Sequence, residues 1–392
     1  MKTVGIICEY NPLHLGHQKQ INRIRQEFGE DTAIVCAMSG NFVQRGDFAV
    51  MEKHARAEAA VRSGADLVLE LPITGALSSA EGFAAAGVNV LAQTGVVDTL
   101  VFGSECADTK RLVKNAQMLL SDAFAKELSL TGGESFAACR AAAAERLLGE
   151  ETALSEPNDI LGVEYCKAIL KSAASIVPLA LPRRGALHDG ETQDGVASAT
   201  GIRAMLRRGE DASQYMSEAS AALYARECEQ GRAPVFLANA ERAILSALRG
   251  MTEEEFSSYD GGNEGLYHRF YAAVRKGGTV EEILTEAKTK RYALSRLRRM
   301  LLCAYLGVQP GESVPYLRVL AANETGRALL KKMKKTAAVP VLTKSADVKK
   351  LPAEAQRLFE TEARATDRYV LAFPALSAAA PGSEWTTDPV IV

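Results

Sequence analysis

The chain has 392 residues, beyond the size at which a single hydrophobic core keeps growing, so two domains are expected. With 47% hydrophobic and 24% charged residues it is composed like a soluble globular protein, which excludes a disordered or fibrous chain. A formal net charge of −2 removes a global positive field as a means of holding nucleic acid and leaves that task to local basic patches.

In chain order, Met1 and Lys2 lead straight into a short apolar run at residues 4–8, too short for a signal peptide, and no later run reaches membrane-spanning length. The seven cysteines lie singly, with no C-x-x-C pair, and read as buried thiols of a reducing compartment. A soluble, cytoplasmic protein with no membrane partner is expected. Through about residue 208 short β-branched runs alternate with longer helical stretches, the α/β pattern of a parallel sheet with crossover helices. Strands are predicted at 4–8, 32–38, 67–71, 99–102 and 175–181, and helices at 53–63, 79–94 and 159–172. Ligands of such a sheet bind beyond the carboxyl ends of its strands, which directs attention to the peptides that follow each one. From residue 209 onward helices dominate, at 235–248, 263–275, 289–306 and 323–334. Isolated β-like pieces at 314–320 and 339–342 read as a small mixed element, and the Ala/Pro/Ser/Gly-rich stretch 376–389 as a loosely packed tail.

Directly after the first strand comes Cys8-Glu9-Tyr10-Asn11-Pro12-Leu13-His14-Leu15-Gly16-His17: strand, bend, H-x-G-H, helix. That order places backbone N–H groups and the positive end of a helix beneath a phosphate, with Gly16 leaving room for it. His14 and His17 can donate hydrogen bonds to charge building on an α-phosphate, and Mg²⁺ would ride on the departing pyrophosphate. A His-x-x-His pair also suits a metal, yet no neighbouring Cys, Asp or Glu completes a ligand set at a familiar spacing, so no metal ligands are assigned. A second phrase, Ala197-Ser198-Ala199-Thr200-Gly201-Ile202-Arg203, opens a helix, and its Ser198, Thr200 and Arg203 are suited to gripping β- and γ-phosphates. Taken alone it also reads as an ordinary capped helix. In the second half Lys288, Lys290, Arg291, Arg296, Arg298 and Arg299 gather around one helix, and Lys331, Lys332, Lys334 and Lys335 form another basic group. Either could follow an RNA backbone or simply face solvent. The loop 39–46, Ser-Gly-Asn-Phe-Val-Gln-Arg-Gly, could close over a bound intermediate, touch RNA, or be a plain surface loop.

The H-x-G-H and S-x-T-x-I-R phrases resemble the nucleotidyltransferase superfamily that includes pantothenate synthetase and class I aminoacyl-tRNA synthetases. Ala199 stands where that superfamily's pattern has a further hydroxyl residue. Residues 5–17, 38–46 and 101–105, with Pro157-Asn158-Asp159-Ile160-Leu161-Gly162, Lys290-Arg291-Tyr292 and Ser295-Arg296-Leu297, are more narrowly similar to the bacterial tRNA(Met) cytidine acetate ligase family. The resemblance spans nearly the whole chain. It implies a Rossmann-like nucleotidyltransferase domain over residues 1–208 and a mainly helical, tRNA-binding domain over 209–392. It further implies that acetate attacks ATP to give acetyl-adenylate, which acylates the wobble cytidine of elongator tRNA(Met) to N4-acetylcytidine. The ATP site would comprise Ile7, Cys8, Glu9, Tyr10, Asn11, Pro12, Leu13, His14, Leu15, Gly16, His17, Gln18, Lys19 and Gln20, with Gly103, Asn158, Arg183 and Arg184 around the nucleoside. An adenylyltransferase acting on a small metabolite and a nucleotide-sensing protein without catalysis are the competing readings, and oligomeric state is left open.

Overall fold

The computed structural model describes residues 2–133, 135–172, 174–183, 197–260 and 265–392. Ten strands occur among them: β1 Thr3–Cys8, β2 Ala33–Ser39, β3 Phe42–Val43, β4 Asp47–Phe48, β5 Leu67–Leu71, β6 Thr99–Ser104, β7 Val177–Pro182, β8 Leu317–Ala322, β9 Val341–Leu342 and β10 Val390–Ile391. Five of them form a parallel sheet in the order β5-β2-β1-β6-β7, as the alternating pattern predicts. The order reverses at β1, from which the chain first builds outward through β2 and β5 and then returns to β6 and β7. In a sheet of this kind a crevice opens at that reversal, above the ends of β1 and β6.

The period-two alternation of β1 shows why the sheet is covered on both faces. Val4, Ile6 and Cys8 pack with Ile21 and Ile24 of helix α1 (Leu15–Phe28) and Ala57, Ala60 and Val61 of α2 (Lys53–Arg62). Ile7 points the other way, into a core with Phe83, Val88 and Leu91, past the short helix α3 (Ile73–Ala76), on α4 (Ala80–Gln93). Gly5 allows α4 to lie close, since a Cβ there would stand 2.6 Å from Leu91 Cδ1.

The predicted helices form at Lys53–Arg62, Ala80–Gln93, Pro157–Lys171, Glu241–Gly250, Leu266–Lys276, Leu294–Leu306 and Glu324–Thr336. Residues 261–264, within the helix expected from residue 263, lie outside the described residues. Two expectations for the C-terminal half are corrected. The β-like pieces do not make a separate small element: β8 pairs antiparallel with β5, and β9 and β10 pair parallel with β8, so the sheet has eight strands and is mixed. Hydrophobic pattern marks a strand but not its partner, which is why this long-range pairing escapes a local reading. Nor is the tail loosely packed. It forms a short helix, Ser383–Thr386, that carries Glu384 into the interior, and then strand β10.

Glu384 belongs to a buried ion network. Lys53 Nζ lies 2.8 Å from both Glu70 Oε1 and Glu384 Oε1, and Arg318 lies 3.1 Å from Glu384 Oε1. Burial opposes charge on Glu384, but Lys53 and Arg318 hold its carboxyl down at about 2. Nearby Glu362 has the opposite fate: burial, then the Glu70 charge, push it up to about 8. Lys53 and Arg318 thus face the carboxyl groups of Glu70 and Glu384, while its surroundings favour the protonated form of Glu362. The helices between residues 241 and 306 build a further core, into which Phe42 and Phe48 of the β3–β4 hairpin insert beside Tyr369. Burying each phenylalanine contributes about 1.5–3 kcal/mol, so the hairpin is anchored in the helical part although it follows β2.

Removing Lys53 leaves Glu70 and Glu384 buried without their shared cation. K53M is expected to destabilise the protein by about 3–5 kcal/mol in urea unfolding; a loss below about 1 kcal/mol contradicts this account of the network.

Candidate active site

Beyond β1 the chain turns at Tyr10, whose φ of 45° is held by complete burial of its ring, and passes a cis Asn11–Pro12 peptide to His14, the N-cap of α1. Histidine is an unusual cap, and its chemistry has consequences. The first N–H groups of a helix have no partner within it. Here Gly16 N–H donates to His14 Nδ1 at 3.0 Å, and His14 N–H donates to His17 Nδ1 at 3.3 Å. A ring nitrogen that accepts carries no proton, so both imidazoles are the neutral tautomer protonated at Nε2. The rings stack with centroids 3.8 Å apart, an arrangement that two imidazolium ions would oppose. Burial, then the charges of Arg183 and Arg203, bring His14 down to about 4. Burial, His14 and Arg183 lower His17 well below the usual histidine range.

The second phrase docks on the first. Ser198 caps the helix Ala199–Arg207 by accepting from Gly201 N–H at 3.1 Å, as its N-cap pattern predicts. Arg203 reaches from that helix to donate to Asn11 O at 2.9 Å and to Thr200 Oγ1 at 3.3 Å. Met216, beyond the same helix, makes a β-bridge to His14, and Ser217 N–H donates to Leu13 O at 3.4 Å. The histidines, Thr200, Arg183 and Arg203 thus share one region at the strand ends.

At the end of β6, a Cβ on Gly103 would meet only Arg183 Cβ, at 3.9 Å, so this backbone is open to a ligand. The adjoining turn is held by buried Asp159, which accepts from Ser104 Oγ at 2.5 Å, Glu105 N at 2.9 Å and Cys106 N at 3.1 Å. Glu105 in return accepts from Asp159 N–H at 3.0 Å and from the Asn158 side-chain amide.

Not every residue in the predicted stretch faces the crevice. Ile7, Cys8, Tyr10 and Leu13 are buried in the two cores, so their side chains stabilise the fold and only their backbones can meet a ligand. Gln18 donates to Ser63 O at 2.7 Å, and Lys19 is exposed on α1. Arg184 lies outside the described residues. Of the basic residues, Lys288 donates to Thr289 O and Tyr292 O, each at 2.9 Å, while Lys290 and Arg291 are exposed. Arg296 donates to Asp260 O at 3.2 Å and stands over the Tyr292 ring. Arg299 is half-buried and donates to Gln44 O at 3.2 Å, so it holds the β3–β4 hairpin.

Sequence reading overlooked Arg56. Wholly buried in α2, it donates to Met51 O and Ser39 O, each at 3.0 Å, and to the carbonyls of Glu9 and Gly40, tying the ends of β1 and β2 together. An arginine in an Ala-rich helix, one turn beyond Lys53, was the available signal.

A helix start with two neutral histidines at the switch point of a parallel sheet, facing a second capped helix with an arginine, defines a site of the nucleotidyltransferase class. A family model described as HIGH Nucleotidyl Transferase matches residues 1–382. Curated relatives narrow the class: tRNA(Met) cytidine acetate ligase of Acetivibrio thermocellus is 34% identical over 100% of both chains. The protein of that name from Caldanaerobacter subterraneus is 37% identical over 95% of this chain and 96% of its own. Crystal structures of Thermotoga maritima TmcAL, 34% identical, match with TM-scores of 0.95 for the apo form, over 100% of both chains, and 0.93 for the form bound with alpha-thio ATP, over 100% of this chain and 99% of that one. The chain belongs to the tRNA(Met) cytidine acetate ligase family of HIGH nucleotidyltransferases.

The lowered histidine pKa values set a pH window. Above 6.5 the histidines are neutral in folded and unfolded chains alike. As pH falls from 6.5 toward about 4, the unfolded chain takes up the His14 proton more readily, so stability drops across that interval. We expect a pH titration of unfolding to show this loss in the wild type and less of it in H14Q; equal slopes contradict the assigned neutrality.

Proposed function

We propose that the chain is an ATP-dependent ligase that acetylates the wobble cytidine of elongator tRNA(Met), with residues 1–208 serving ATP and the helices of 209–392 serving RNA. The observation that carries this reading is the pair of backbone-capped, neutral histidines at the start of α1. An acetate oxygen attacks the α-phosphorus of ATP and the bond to pyrophosphate breaks. Acetate is already ionised at neutral pH and needs no base for that step. The Nε2–H groups of His14 and His17 donate to the α-phosphate oxygens as charge concentrates there. Arg203, Ser198 and Thr200 hold the β- and γ-phosphates. Gly103 lets the nucleoside lie against the backbone beside Asn158, and Arg183 flanks it. The exocyclic amine of cytidine then attacks the acetyl carbon, the bond to AMP breaks, and the amine loses a proton to give N4-acetylcytidine.

Among the described residues no group of three or more His, Cys, Asp or Glu side chains stands where it could hold a metal ion. Mg²⁺ is assigned to the triphosphate, where it would neutralise the departing pyrophosphate. No helix among the described residues is long and apolar enough to cross a membrane, and the cysteines are free.

Purified protein incubated with ATP, labelled acetate and unmodified elongator tRNA(Met) should place label in cytidine. H14A and H17A should each lower that rate by about 10²–10³. Acetate-independent adenylation of a small metabolite, with no label in RNA, would instead support a metabolite adenylyltransferase.

A further inference from the structure

The β3–β4 hairpin carries none of the residues assigned above to the phosphates or the nucleoside, yet its backbone is held from several sides. Gly46 N–H donates to Val43 O at 2.9 Å across its turn, and Ala49 N–H to Asn41 O at 3.0 Å at its base. Glu9, directly after β1, accepts from Gln44 N–H at 2.8 Å, and Arg299 donates to Gln44 O at 3.2 Å from the opposite side. Phe42 and Phe48 anchor its underside, their ring centroids 4.9 Å apart. The tip residue is Arg45. It is exposed, and no hydrogen bond or ion pair of its side chain occurs among the described residues.

Its neighbours are also cationic. Gly46, with φ of +74°, sits directly on the helix Leu294–Leu306: a Cβ there would stand 2.6 Å from both Arg298 Cβ and Arg299 N. On the other flank Arg203 is held below its ordinary value by burial, with Arg45 and Arg207 adding repulsion against the pull of Glu9 and Asp47. One Glu9 oxygen is already committed to the hairpin backbone. Arg45 thus stands next to the contact between the hairpin and Arg298, within electrostatic reach of Arg203. A guanidinium carried on a held backbone, with no carboxylate bonded to it, suits two-pronged capture of a phosphate. Arg203 is bonded to Asn11 in the loop before the histidines, whereas the residue after Arg45 packs on Arg298.

Building on the acetate-ligase reading above, we propose that Arg45 grips a backbone phosphate of the acceptor RNA as the strand crosses from the helix Leu294–Leu306 to the activated acetyl group. It acts on RNA and leaves ATP and acetate untouched.

Binding of dye-labelled unmodified tRNA(Met), followed by anisotropy across a salt series, tests this. R45A should weaken binding about 3- to 10-fold and reduce the slope of log affinity against log salt by about one, while R45K keeps most of that slope. Acetate-dependent pyrophosphate exchange without tRNA should stay within about twofold of wild type in R45A, which also shows that the variant is folded. Unchanged RNA affinity and slope, or exchange that falls as far as binding, overturns the proposal. A wild type that binds tRNA but makes no acetylcytidine defeats the ligase reading and leaves Arg45 to be judged on affinity. A wild type that binds no tRNA defeats both.

Discussion

The first turn of α1 has N–H groups that its own helix cannot satisfy, and the rest of the site follows from how this chain satisfies them. Two of those hydrogen bonds end on imidazole Nδ1 atoms. That choice fixes each tautomer, keeps both rings neutral, and leaves Nε2–H as the donor at each ring. An aspartate or serine cap would satisfy the same N–H groups. Aspartate would bring negative charge to the place proposed for a phosphate, and serine would lack a second nitrogen to donate onward. The histidines therefore stabilise the helix start through Nδ1 and keep Nε2–H for the role proposed for them at the α-phosphate.

Such a cap functions only if the loop before it is held still. Buried Arg56 gathers the carbonyls at the ends of β1 and β2, and Arg203 fastens Asn11 from the facing helix. Lys53, one turn before Arg56 on α2, is locked by Glu70 and Glu384, so the C-terminal segment secures the helix that secures the loop. The hairpin extends this connected structure into the helical part through Phe42, Phe48 and Arg299. Residues far apart in sequence thereby set the position of one pair of rings.

Much of the parallel sheet was legible, because buried strands read as apolar runs of the right length and the crossover helices fill the gaps between them. H-x-G-H was legible as a candidate site because its residues are consecutive and follow a strand. Residues whose role depends on distant partners were not. The run at 314–320 announces a strand but nothing about β5, and Glu384 looks like one more charge in a small-residue tail until Lys53 is placed beside it. Arg299 reads as a surface cation by composition, whereas the structure employs it to hold the Gln44 carbonyl. Within the ATP stretch, proximity in sequence includes residues such as Ile7 and Leu13 whose side chains alternate into the cores. Asp159 was seen as part of a motif, but its service to the turn after β6 required the fold.

Backbone capping fixes both histidines as neutral, Nε2-protonated rings before any nucleotide arrives. Nitrogen-15 chemical shifts of the His14 and His17 side chains, recorded at pH 7 without nucleotide and assigned with H14Q and H17Q, measure this directly. Each ring should show an unprotonated Nδ1 and a protonated Nε2. Two protonated nitrogens on either ring, or a proton on Nδ1, would contradict it.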